Sequence, residues 1–212
     1  GVADATNQAY SVYYVEDTND DSVVIGQTWS VTKVGTVNSA SELSAFALDG
    51  VTTITGTAAA DVLVGTAAAE TITGNTGADF LTGGTGNDTF VFATDGGDSI
   101  SDFATGADIM DFNAITGALA KVYEEVATDA GNITTDANVI VFGGTSTIAA
   151  AAAAIAADAT VTGTTGLIVF SDGADTFVYG TNSLAGNGAE TLLVTLTGIT
   201  DPTTLVTADF TV

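Results

Sequence analysis

Glycines stand at Gly56, Gly65, Gly74 and Gly83, acids at Asp61, Glu70, Asp79 and Asp88, and large apolar residues at Leu63, Ile72, Leu81 and Phe90. Three residue classes therefore keep one nine-residue spacing, and self-similarity at a fixed period marks a chain built by stacking one small unit on the next. The four units read GTAAADVLV, GTAAAETIT, GNTGADFLT and GGTGNDTFV, and a fifth, looser one follows with Asp98 and Ile100 displaced one residue late. The rest of the composition makes the placement of the acids significant. Against 26 acidic residues there are two basic ones, Lys33 and Lys121, and no histidine, a formal charge of −24. Self-repulsion on that scale opposes compaction unless cations neutralise it. The same balance excludes nucleic acid and anionic membrane surfaces as partners, because both are bound through clusters of Lys and Arg.

The fourth unit, GGTGNDTFV, satisfies the pattern G-G-x-G-x-D-x-U-x at every specified position. In this the chain resembles the RTX (repeats-in-toxin) family, whose resemblance implies a parallel β-roll that binds Ca²⁺. Each unit reads as a turn followed by a short strand. Glycine permits positive φ and close backbone approach in the turn, and the apolar eighth position points into a narrow core. On that fold two units make one coil, turns alternate between the two edges, and each acid faces the acid eighteen residues away: Asp61 with Asp79 and Glu70 with Asp88. Asp79 with Asp98, and Asp88 with Asp102 or Asp108, would continue the two rows. Ca²⁺ takes six to eight hard oxygen ligands, which two carboxylates and the carbonyls of stacked Gly-rich turns can supply. The expected metal residues are therefore Asp61, Glu70, Gly74, Gly77, Asp79, Gly83, Gly84, Gly86, Asp88, Asp98, Asp102 and Asp108. Alanine replaces the fourth-position glycine at Ala59 and Ala68, which restricts the backbone, so sites that use the first two units are expected to be weak or empty.

The repeats are followed by SISDFATGADIMDF, Ser99 to Phe112, similar to the segments that end RTX rolls and expected to cap the solenoid with Phe103, Ile109 and Phe112 as plugs. Further on come the apolar runs VIVF, LIVF, TFVYG and TLLVTLTG, separated by Gly, Asp and Asn and read as strands. VFSDGADTFVYG reads as a hairpin turning at Asp172, Gly173 and Ala174. The alanine stretch from Thr147 to Asp158 is expected to be a short helix with Ser146 or Thr147 as N-cap. Its apolar core, Ile148 to Ala157, is the longest purely apolar run and is half what a spanning helix needs, so no transmembrane segment is expected. The closing ADFTV resembles the uncleaved C-terminal signals of type I secretion substrates.

Before the repeats, AYSVYYVE and SVVIGQTWSVTKVGTV flank an acidic turn, Asp17 to Asp21, and read as antiparallel β structure, and SASELSAFALDG, Ser39 to Gly50, as a short helix or helical turn. The opening residues contain no charged-then-apolar leader of the Sec type. The expected organisation is an N-terminal antiparallel β segment over 1–50, a calcium-binding roll with its cap over 51–112, and a β-rich region with one short helix and a type I secretion signal over 113–212. The fold class is all-β.

Catalysis finds little support in the residues. The chain has no histidine and no cysteine, which removes the H-E-x-x-H zinc site and the common nucleophile–base pairs, and no G-x-S-x-G elbow is present. Glu124 and Glu125, the sole close glutamate pair, diverge on either a strand or a helix, so no enzyme is expected. In character the chain is similar to bacterial RTX surface-layer proteins. That resemblance implies a secreted, extracellular or cell-surface protein that self-assembles as an S-layer or extracellular matrix fibre, with other copies of itself as partner and cell-surface polysaccharide as a further candidate. Two other readings are the C-terminal calcium-binding and export module of a larger secreted enzyme, and a calcium-dependent adhesin.

Overall fold

Glycine, alanine, asparagine and acid dominate the turns, with one threonine in each, whereas Thr-Ile-Thr, Phe-Leu-Thr and Thr-Phe-Val place consecutive β-branched and aromatic residues where the chain extends. The computed structural model describes residues 2–4, 9–17, 29–38, 52–92, 96–117, 121–126, 133, 136–163, 165–184 and 189–212. The chain divides into two compact units, Gly1–Phe46 and Ala47–Val212. In the first, β1 (Val2–Asp4), β2 (Ala9–Asp17) and β3 (Trp29–Asn38) form an antiparallel sheet in that order. Residues 18–28, which hold most of the acidic turn, and the helix expected over 39–50 lie outside the described residues.

The second unit begins with seven three-residue strands: β4 (Thr53–Thr55), β5 (Val62–Val64), β6 (Thr71–Thr73), β7 (Phe80–Thr82), β8 (Thr89–Val91), β9 (Asp98–Ile100) and β10 (Ile109–Asp111). Even-numbered strands stack in parallel in one sheet and odd-numbered strands in another, so two repeats make a coil. Register follows the period. Ile54, Ile72, Phe90 and Met110 align on one sheet, and Leu63, Leu81 and Ile100 on the other. Ile72, Leu81, Phe90, Ile100 and Met110 are fully buried between the sheets. Ile54 and Leu63, in the first coil, are only half-buried.

One expected plug is corrected here. Met110, not Ile109, takes the inward place, because Asp88 and Asp108 are register partners and the inward residue comes two places after the acid. Ile109 pairs with Thr89 and is half-buried. Phe103 packs on Phe90 at 6.2 Å between ring centroids, and Phe112 stacks on Phe92 at 5.0 Å.

The remaining chain prolongs both sheets beyond the segment expected to cap them. After a short helix, α1 (Asn113–Thr116), come β11 (Tyr123–Val126), β12 (Val139–Thr145), α2 (Ile148–Ala157), β13 (Gly166–Ser171), β14 (Thr176–Thr181), β15 (Glu190–Leu196) and β16 (Phe210–Thr211). β15 lies parallel to β9, placing Leu196 beside Ile100, and β16 lies parallel to β10, placing Phe210 beside Met110. The sheets thus run β16-β10-β8-β6-β4 and β11-β12-β13-β14-β15-β9-β7-β5. β12 and β13 are buried on both faces, which explains their unbroken apolar sequence. One face joins the roll interior. The other is covered by α2, whose Ala151, Ala152 and Ile155 pack with Ile140, Phe142, Ile168 and Phe170. Thr147 caps α2, its hydroxyl accepting from the Ala150 amide at 3.3 Å. β13 and β14 form the expected hairpin, its turn locked by the Asp172 carboxylate, which accepts from the amides of Ala174 and Asp175.

Candidate metal centre

The stacking of coils puts the acids in two rows, one on each edge of the roll. The amide of Asp61 donates to Asp79 Oδ1 at 2.8 Å, and that of Asp79 to Asp98 Oδ1 at 2.9 Å. On the opposite edge Glu70 donates to Asp88 Oδ1 at 2.8 Å, and Asp88 to Asp108 Oδ1 at 3.0 Å. The main chain of each acid also accepts from the following coil: Phe80 donates to Asp61, Thr89 to Glu70, Ser99 to Asp79 and Ile109 to Asp88. One carboxylate oxygen in each rung is therefore committed to the backbone ladder. At Asp79 and Asp88 this leaves the second oxygen, Oδ2, for a cation.

That second oxygen separates the turns into two kinds. Asp79 Oδ2 and Asp88 Oδ2 are buried and have no hydrogen-bond partner among the described residues, and the residues that carry them are 2% and 1% exposed. A buried carboxylate oxygen without a donor costs several kcal/mol unless a cation compensates it. Burial pushes the Asp88 carboxyl above the usual carboxylate range, and the charges of Asp108 and Glu70 push in the same direction. By contrast, Asp61 Oδ2 accepts from the amide and hydroxyl of Thr57 at 2.6 and 2.9 Å. Glu70 likewise accepts from the Thr66 amide at 3.1 Å and from the Thr66 hydroxyl.

The other expected residues fall around these oxygens. Gly74 and Gly83 back directly onto the carboxylates of Asp79 and Asp88, where a methyl group would overlap Oδ2. Gly77, Gly84 and Gly86 have φ of 115°, 97° and 151°. Asp108 is the partner of Asp88. Asp102 instead spans the amides of Gly83 and Gly84, at 2.9 and 2.7 Å, and so fixes the start of that turn. Sequence reasoning missed two features. The threonines that close the first two turns were visible at the second place of each unit, but nothing in the spacing marked them as donors to the acid. Asp209 lies near the end of the second edge, accepting from Gly106 at 2.7 Å and Val206 at 2.9 Å. Only the pairing of β16 with β10 brings it there.

Among the described residues no group of three or more acidic side chains converges as a metal site. A cation at Asp79 or Asp88 would thus draw most of its ligands from backbone carbonyls of the Gly-rich turns, which suits a hard ion with many oxygen ligands and loose geometry. The family model of the RTX calcium-binding nonapeptide repeat matches residues 55–90 and 64–100. Residues 55–100 are RTX calcium-binding nonapeptide repeats. RTX nonapeptide repeats bind calcium, and the buried, donorless oxygens of Asp79 and Asp88 are of the kind that ion satisfies. No curated protein matches the chain. RTX repeat proteins are typically secreted, and among the described residues no helix is long and apolar enough to cross a membrane.

The close stacking of RTX turns gives Gly84 two constraints at once. Its φ is positive, and an added methyl would overlap the carbonyl oxygen of Thr66 in the preceding coil. Gly106 also has positive φ, 77°, but nothing lies within 4 Å of an added methyl. Gly106→Ala is expected to cost about 1 kcal/mol from backbone conformation alone. Gly84→Ala should cost at least about twice that, since a backbone contact must also open. Urea unfolding of both variants in saturating calcium checks the difference, and equal costs would mean that the turns are not stacked this closely.

Proposed function

We propose that this chain is a secreted, non-catalytic structural protein that folds when it meets calcium outside the cell and then assembles with copies of itself at the cell surface. The observation that carries the calcium step is the pair of buried carboxylate oxygens, Asp79 Oδ2 and Asp88 Oδ2, on consecutive turns of opposite edges. Bound calcium supplies the positive charge that lets these turns stack in a chain of formal charge −24. Where calcium is scarce the same charge keeps the chain extended and threadable, which suits export through a type I system. Calcium at the sites then favours the compact form by mass action.

The assembly step rests on the outer face of the roll. Val62 and Phe80 are register partners on the 8-stranded sheet, and they remain 67% and 45% exposed. The absence of histidine and cysteine from the chain supports a non-catalytic role.

Calcium titrated into chelator-treated protein, followed by light scattering, tests both steps in one trace. A fall in hydrodynamic radius followed by growth into large ordered particles is the expected result. A fall without growth removes self-assembly and leaves a monomeric export module or an adhesin. No change in radius removes the calcium step as well.

A further inference from the structure

The four regular turns differ at two places besides the acid. In the third and fourth, the second and fourth residues, Asn75 with Gly77 and Gly84 with Gly86, all have positive φ. In the first and second those places hold Thr57 with Ala59 and Thr66 with Ala68, none of which does. The division matches the state of the acids. Where φ is positive at both places the second carboxylate oxygen is left buried without a donor. Where it is not, the amide and hydroxyl of the second residue both reach the acid of their own turn.

From this coincidence we infer that Thr57 and Thr66 are specificity-determining residues that keep calcium out of the first two turns by satisfying Asp61 and Glu70 internally. The inference rests on the proposal above that Asp79 and Asp88 are calcium ligands. A cation entering the first turn has to displace two donors from Asp61 Oδ2 and leave a threonine amide and hydroxyl to find other partners. It also has to rearrange a backbone that Ala59 holds out of the positive-φ region, which is unfavourable for a residue with a Cβ. At Asp79 and Asp88 neither obstacle exists. The roll is thus divided along its length into coils that close on their own hydroxyls and coils that close on a metal.

The test counts calcium on the full chain by native mass spectrometry, with circular dichroism to confirm folding. Wild type should carry two ions, one for each donorless oxygen. Asp79→Asn and Asp88→Asn should each lose one, whereas Asp61→Asn and Glu70→Gln should keep both. The paired change Thr57→Gly with Ala59→Gly, which gives the first unit the glycine pattern of the fourth, should gain one. Loss of an ion from Asp61→Asn or Glu70→Gln, or no gain from the glycine pair, overturns the inference while leaving the calcium reading in place. A wild-type chain that carries no calcium removes that reading, and the inference falls with it.

Discussion

Chelating calcium from the folded chain should lower its unfolding free energy by about 5 kcal/mol, enough to bring the roll close to melting at room temperature. A ligand present at one hundred times its Kd stabilises the folded state by about 2.7 kcal/mol per site. On the proposed reading, the donorless oxygens Asp79 Oδ2 and Asp88 Oδ2 mark two such sites. Ordinary domains have only about 5–15 kcal/mol in total, so the loss is comparable with everything else that holds the fold. Removing the ion also leaves Asp88 buried beside Asp108 and Glu70, whose charges already push its carboxyl upward. Urea unfolding followed by far-ultraviolet circular dichroism, with and without chelator, measures the shift. Midpoints that coincide would show that the turns close without metal, contrary to the reading of both sites.

Truncating Phe210 to alanine should cost about 3–5 kcal/mol even in saturating calcium, the range for a large aromatic removed from a packed core. Phe210 is fully buried, continues the ladder of Ile54, Ile72, Phe90 and Met110, and lies 6.1 Å from the Tyr123 ring between centroids. Its segment is also tied from the side. The Lys121 ammonium donates to the carbonyls of Thr207 and Phe210, and the Tyr123 hydroxyl to that of Leu205 at 2.8 Å. Phe80→Ala provides the comparison, since Phe80 is 45% exposed on the outer face and its loss should cost no more than about 1 kcal/mol. If the two variants unfold at the same urea concentration, the C-terminal strand is not part of the core.

The roll itself was legible because its period fixes strand, turn and register together: once Asp61 and Asp79 are aligned, Leu63 and Leu81 follow. The hairpin at Asp172 to Ala174 and the helix capped by Thr147 were legible from local signals, a glycine-containing turn in one case and a hydroxyl before an alanine run in the other. What joins the C-terminal region to the roll was not. The pairings of Val194 with Asp98 and Phe210 with Met110 span about a hundred residues, and no local pattern announces them. Met110 was missed for Ile109 because the last turn is longer than its predecessors, so counting by nine no longer finds the inward face. At the metal sites the acids and glycines were legible from spacing. The capture of Asp61 and Glu70 by threonine was not, because Thr57 and Thr66 are unremarkable turn residues until their hydrogens are placed.

The continuation of both sheets into the C-terminal region gives the roll a direction of opening. In a simple solenoid each repeat touches only its neighbours, and terminal repeats at either end fray independently. Here the coil at Met110 is fastened on one sheet by β16 and the coil at Ile100 on the other by β15, within one shared core. At the far end Ile54 and Leu63 are only half covered. Among the described residues this first coil, which holds the threonine-closed turns, is the less covered end of the roll and the one expected to loosen first. The turns bearing Asp79 and Asp88 lie behind them, and peeling back the first coil strips the Asp61 and Glu70 amides from their carboxylates, so opening of that end bears directly on the grip of the two acids.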